Sequence, residues 1–187
     1  MTDFLQYCNQ LSKLEKDATD ELLNKIKSRT YQKGEYLLKK REICKYLFFI
    51  NDGLVKTFFH KNDKEFIMQF FPENAMFTVL NSYVNQTRSS YMIIALESTS
   101  VTYIQHKEME ELCKKYHCIE TFFRKLVSLA SVNMMKRISE MLEENAAEHY
   151  DSFVKENDGL LQRISLGDLS CYLGITQVSL SRIRAKK

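Results

Sequence analysis

The residues best suited to chemistry crowd the C-terminal end of the chain. Thr176, Gln177, Ser179, Ser181, Arg182, Arg184, Lys186 and Lys187 fall within twelve positions there, and no Asp or Glu follows Asp168. Hydroxyl and amide groups at a helix start suit phosphate oxygens, because free backbone N–H groups point the same way. In a DNA major groove, a Gln carboxamide matches adenine and an Arg guanidinium matches guanine, each through two hydrogen bonds. The local punctuation fits such a reader. Ser165 is placed to cap a helix, with Asp168 at the third helical position, where a carboxylate opposes the positive helix end. Leu166, Leu169, Cys171, Tyr172 and Leu173 give that helix an apolar face, and Gly174 ends it where a left-handed residue turns the chain. Ile175 plugs the turn, and Thr176 caps a second helix from Gln177 to about Arg184. The second helix buries Val178 or Leu180 together with Ile183. Helix, glycine turn and capped helix form a helix-turn-helix layout. A glycine turn between two helices is a moderate signal alone; the acid-free basic end strengthens it.

Other reactive side chains form no constellation. The 5 cysteines, at positions 8, 44, 113, 118 and 171, are odd in number and irregularly spaced, which is no disulfide framework. Cys113 and Cys118 are near neighbours, but no second pair completes a metal site. Histidines 60, 106, 117 and 149 are scattered. A metal-dependent barrel enzyme needs clustered imidazoles and a carboxylate, and the barrel region holds only His60. The reading is no enzyme, no metal, no cofactor and reduced thiols.

Composition bounds the class. The chain has 187 residues, 44% hydrophobic and 27% charged, with a formal net charge of +3. That is globular composition with room for one ordinary domain and a small module. Mean hydropathy is −0.34, and the clean apolar runs are strand-sized. The first ten residues lack a basic segment followed by an apolar core. Membrane and secreted classes are disfavoured, and a cytoplasmic location is expected.

The elements that must carry the reader follow from hydrophobic period. Residues 3–29 read as helical. From Tyr31 to about Tyr103, short runs rich in Phe, Tyr, Ile and Val predict strands at Tyr36–Leu38, Tyr46–Ile50, Leu54–Phe59, Phe66–Phe71, Tyr91–Leu96 and Val101–Ile104. Asn51-Asp52-Gly53 signals a hairpin, and Lys61-Asn62-Asp63-Lys64 is a second turn signal. Several strands at this spacing imply an antiparallel barrel or jelly roll, with a short helix between about Asn74 and Thr87. After Lys107 the period is helical again, with an apolar stripe from Ile119 to Leu142. That stripe suits either an intramolecular core or a two-stranded coil. A further helix is expected at about Ala146–Glu156, stopping at Asn157-Asp158-Gly159.

Taken together, Lys33-Gly34-Glu35, Phe48-Phe49-Ile50-Asn51-Asp52-Gly53-Leu54-Val55-Lys56, Phe70-Phe71-Pro72-Glu73-Asn74, Ala95-Leu96-Glu97, Tyr172-Leu173-Gly174-Ile175-Thr176 and Leu180-Ser181-Arg182-Ile183-Arg184 resemble the Crp/Fnr family of bacterial transcription regulators, particularly the short Bacteroidetes-type form. The resemblance implies an α+β fold in three parts. Residues 1–112 would form a cyclic-nucleotide-binding-type β-roll with N-terminal helices, 113–145 a long dimerisation helix, and 146–187 a helix-turn-helix domain of winged type. The chain ends at Lys187, so no full wing hairpin is expected. The implied partners are a second copy and a near-palindromic DNA operator. Gln177, Val178, Ser179 and Arg182 would read bases; Thr176, Ser181, Arg184, Lys186 and Lys187 would hold phosphates.

The departures from the family pattern bear on the effector. The ribose-binding Glu of nucleotide-binding members aligns with Val79, after Thr78, and the phosphate-binding Arg with Ser89. Arg88 is one residue away, where an extended segment points to the opposite face. A cyclic nucleotide is therefore not expected. Thr78, Val79, Arg88, Ser89 and Ser90 mark a pocket for an unknown anionic effector, and the alternative reading is a small-ligand sensor with weak or lost DNA binding. Only Cys8 lies near the N-terminus, where the oxygen-sensing branch holds an iron–sulfur cluster, and one thiolate cannot hold one.

Overall fold

The computed structural model describes residues 2–157 and 159–185. Two helices, α1 (Thr2–Leu11) and α2 (Lys16–Lys25), precede eight strands. These are β1 (Lys27–Tyr31), β2 (Tyr36–Leu38), β3 (Tyr46–Asp52), β4 (Val55–Lys61), β5 (Lys64–Phe71), β6 (Met76–Phe77), β7 (Met92–Ala95) and β8 (Thr99–Gln105), with helix α3 (Leu80–Asn85) after β6. Two four-stranded antiparallel sheets, ordered β1-β8-β3-β6 and β2-β7-β4-β5, close on each other as a roll. Then come α4 (His106–Lys115), α5 (His117–Glu143), α6 (Ala146–Glu156), a short 3-10 turn (Leu160–Gln162), α7 (Leu166–Leu173) and α8 (Gln177–Ala185). This is the expected α+β architecture.

Several expectations are corrected. Residues 3–29, read as helical, are two helices followed by the start of a strand. Asn9 breaks it: its carboxamide donates to the Leu5 carbonyl at 2.9 Å and accepts from the Leu14 N–H at 3.0 Å. That closes α1 and turns Leu14 into a core with Phe4, Cys8, Ala18 and Leu22. Strand β1 escaped notice because four of its five residues are exposed and only Tyr31 is buried, so no alternation shows. Asn51-Asp52-Gly53 is not a hairpin. It carries the chain from β3 in one sheet to β4 in the other. Gly53 has φ +98°, and a Cβ there would lie 2.6 Å from the Ser98 carbonyl and the Thr99 hydroxyl. The true hairpin is the other signal: Asn62 and Asp63, with φ 50° and 58°, join β4 to β5 in a primed turn. The helical stretch after Lys107 is interrupted at Tyr116, whose extended backbone separates α4 from α5 and whose hydroxyl donates to Glu21 of α2 at 2.9 Å.

Three cores hold the molecule. One joins α1, α2, α4 and the first half of α5 to β3, and a second fills the roll. The third is shared: Leu54, Phe58, Ile67, Phe70 and Met92 of the roll pack with Phe153, Leu169, Leu173 and Leu180 of the C-terminal helices. The second half of α5 is different. Leu129, Val132, Met135, Ile138, Met141 and Leu142 are all exposed, Leu142 at 81%.

Candidate nucleic-acid interface

Local chemistry builds the helix pair as read. The Ser165 hydroxyl accepts from the Asp168 N–H at 2.9 Å and donates to its carboxylate at 2.7 Å. Gly174, at φ +70°, closes α7, and the N–H groups of Gly174 and Ile175 both return to the Ser170 carbonyl. The Thr176 hydroxyl accepts from the Ser179 N–H at 3.1 Å and lies 2.9 Å from the Ser179 hydroxyl. Thr176 and Ser179 thus bond each other at the start of α8. Gly167 gives Gln177 room, since a Cβ there would stand 3.1 Å from the Gln177 amide nitrogen.

The choice between Val178 and Leu180 is resolved by burial. Leu180 is the anchor, 1% exposed, whereas Val178 is 61% exposed. Gln177, Val178, Ser181, Arg182 and Arg184 share the open surface of α8, and Ser179 is half-buried. Lys186 and Lys187, expected to hold phosphates, lie outside the described residues.

Sequence reasoning missed how this helix pair is held. Lys56 of β4, itself buried, reaches Asp168 at 2.5 Å and Glu65 at 2.7 Å. Burial alone would push the Lys56 ammonium down, but the two carboxylates outweigh it and raise its pKa. Burial likewise pushes the Asp168 carboxyl up, and the bonds from Lys56 and Ser165 bring it below its ordinary value. Arg163 grips Glu73 through both terminal nitrogens, at 2.7 and 2.9 Å, and also reaches Glu97. The Arg163 guanidinium holds Glu73 down at about 2, helped by the Gly53 N–H at 2.8 Å. Lys56–Asp168, Arg163–Glu73 and Arg163–Glu97 join residues 66 to 112 positions apart, and single charges in a mixed sequence announce no such pairing.

A groove of about 830 Å³ runs between the roll and α5. Its roll wall includes Phe71 and Phe77, stacked at 4.1 Å, with Thr57, Gln69 and Tyr91. Of the five residues read as an effector pocket, Thr78 and Val79 line this groove; Arg88, Ser89 and Ser90 do not. The Thr78 hydroxyl donates to the Tyr46 carbonyl at 2.9 Å, and the Ser89 hydroxyl exchanges bonds with the backbone of Tyr91. Arg88 is exposed, as is Ser90.

Among the described residues, no group of three or more His, Cys, Asp or Glu side chains could hold a metal ion, and no helix is long and apolar enough to cross a membrane. All cysteines are free, and burial pushes the thiols of Cys8 and Cys113 up to about 12.

A roll, a long helix and an exposed helix pair follow one another along the chain, and this order of parts recurs in known structures. Residues 28–116 match the family model of the cyclic nucleotide-binding domain. No curated protein matches the sequence. Solved structures match almost throughout. FixK2 from Bradyrhizobium japonicum is 18% identical, with 86% of this chain and 83% of that one covered and a TM-score of 0.72. A protein from Eubacterium rectale assigned to the Crp/Fnr family of transcriptional regulators is 14% identical, covering 91% and 82% at a TM-score of 0.74. The c-di-GMP-responsive global regulator CLP from Xanthomonas campestris is 10% identical, covering 92% and 91% at 0.68. The chain has the Crp/Fnr fold.

Proposed function

We propose that this protein is a sequence-specific, DNA-binding transcriptional regulator of the Crp/Fnr type that acts as a homodimer. One observation carries the reading. On a helix pinned by Leu180, the exposed residues are Gln177, Val178, Ser181, Arg182 and Arg184, a set suited to base edges and phosphates. The Val178 side chain offers a methyl contact to thymine, Gln177 and Arg182 bond adenine and guanine, and Ser181 and Arg184 take phosphates. The regulators among the structural neighbours support the same class.

The exposed stripe on α5 supports the dimer. A bare row of Val132, Met135, Ile138 and Leu142 recurs at three- and four-residue spacing, the pattern of a two-stranded coil. Two copies of α8 related by a two-fold would enter successive major grooves about 34 Å apart. No cyclic nucleotide controls this regulator: Val79 offers no bond to a ribose, and among the described residues the cations lining the groove, Lys136 and Arg137, come from α5 and not from the roll. Calorimetric titration with cyclic AMP or cyclic GMP should give no binding heat.

The test is selection of bound fragments from random duplex DNA, followed by Arg182→Ala. The variant should lose about 1–3 kcal/mol for the selected duplex and relax preference at one base pair. Unchanged affinity and preference would remove α8 as the reader.

A further inference from the structure

Arg137 sits in the bare half of α5, yet its side chain turns inward. Its Nη2 donates to the Tyr172 carbonyl at 3.0 Å and to the Ile67 carbonyl at 3.4 Å, while the guanidinium carbon lies over the Tyr172 ring, 3.6 Å from its centre. Those contacts join three parts of the molecule: the long helix, the roll and the first helix of the reader. Each acceptor is placed by a structural irregularity. Tyr172 is one residue from the end of α7, where carbonyls lack intrahelical partners and the helix end carries partial negative charge. Ile67 borders the bulge in which Met68 is the extra residue, since Phe58 pairs with Ile67 and Thr57 with Gln69. Two residues beyond Tyr172, Gly174 turns the chain into α8. A cation fixed here sets where that turn points.

Stability does not account for this arginine. The guanidinium forms no ion pair within 4 Å among the described residues, and its Nη1 is buried without a hydrogen-bond partner. The side chain is half-buried and has no carboxylate partner, so an apolar side chain of similar length gives up no ion pair there. What the apolar replacement gives up is direction: a planar fork fixes angles that a flexible chain leaves free.

We propose that Arg137 is a positioning residue, orienting the reading helix relative to the dimer helix and the roll through its grip on Tyr172 and Ile67. The inference rests on the DNA-reading function proposed above. Two reading helices must meet half-sites at fixed spacing, so a tilt of either module costs contacts on matched DNA. It costs far less on unmatched DNA, where phosphate attraction dominates and tolerates misalignment.

The experiment compares wild type, Arg137→Met and Arg137→Lys on a selected duplex and on a scrambled duplex of equal length, over a range of salt. Thermal unfolding and sedimentation are measured in parallel. For Arg137→Met, affinity for the selected duplex should fall about tenfold, within the range such couplings reach. Affinity for the scrambled duplex, the salt slope, the unfolding temperature and the oligomeric state should stay at wild-type values. Arg137→Lys keeps the charge but not the fork, and should fall between the two. Equal losses on both duplexes with a lower unfolding temperature would show a merely structural role and overturn the proposal. Unchanged discrimination in a folded variant would do so too. Should Arg137→Met not fold, Arg137→Lys decides: selective loss supports positioning, and wild-type discrimination refutes it. A wild type that does not discriminate between the duplexes instead sinks the DNA-reading function itself.

Discussion

Glu73→Gln tests the clasp that ties the C-terminal helix pair to the roll. Glu73 receives two nitrogens of Arg163 and the N–H of Gly53, and its carboxyl is held at about 2 against an ordinary 4.5. Full linkage of that drop corresponds to about 3 kcal/mol. The Glu73 and Arg163 side chains are 33% and 29% accessible, so solvent screening reduces the expected value to about 1–2 kcal/mol. The sign is fixed by the direction. A carboxyl whose folded pKa lies below its unfolded one contributes stability that is complete above about pH 4.5 and drains as pH falls toward 2. Urea unfolding followed by circular dichroism, from about pH 7 to about pH 3, gives the comparison. The variant should be less stable at neutral pH, and its deficit should shrink as acid protonates the Glu73 carboxyl of the unfolded wild-type chain. A constant deficit across the range, or none, would refute the reasoning.

Two further outcomes follow from the structure. Gly53→Ala should cost roughly 2–4 kcal/mol in the same urea experiment, because a Cβ would meet the Ser98 carbonyl at 2.6 Å in a backbone held at φ +98°. Met135→Glu puts a charge into the exposed stripe of α5, where Met135 is 69% exposed. It should leave the chain folded and turn dimer to monomer in sedimentation velocity, with roughly hundredfold weaker binding to a selected duplex.

What the sequence made legible was local. Ser165, Gly174 and Thr176 announce the helix pair because capping hydroxyls and a left-handed glycine act within a few residues of themselves. The β4–β5 turn at Asn62-Asp63 is of the same kind. Gly53 was read correctly as a turn and wrongly as a hairpin, since residue types specify the bend but not which sheet receives the next strand. Strand β1 was hidden because its pairing with β8 is a backbone matter, and Lys27, Ser28, Arg29 and Thr30 all face solvent. Arg137, Lys56 and Arg163 act across long separations, so their roles exist only once the chain has folded. The basic end suggested a polyanion, whereas burial of Leu180 told which face of α8 is free to meet it.

Hydroxyl-radical and dimethyl sulfate footprinting of the protein on a selected duplex addresses the central claim most directly. The account predicts two protected patches on one side of the double helix, symmetric and about 34 Å apart, each with a shielded guanine N7 that Arg182→Ala uncovers. A single patch from one subunit, or a duplex cut evenly along its length at saturating protein, would contradict it.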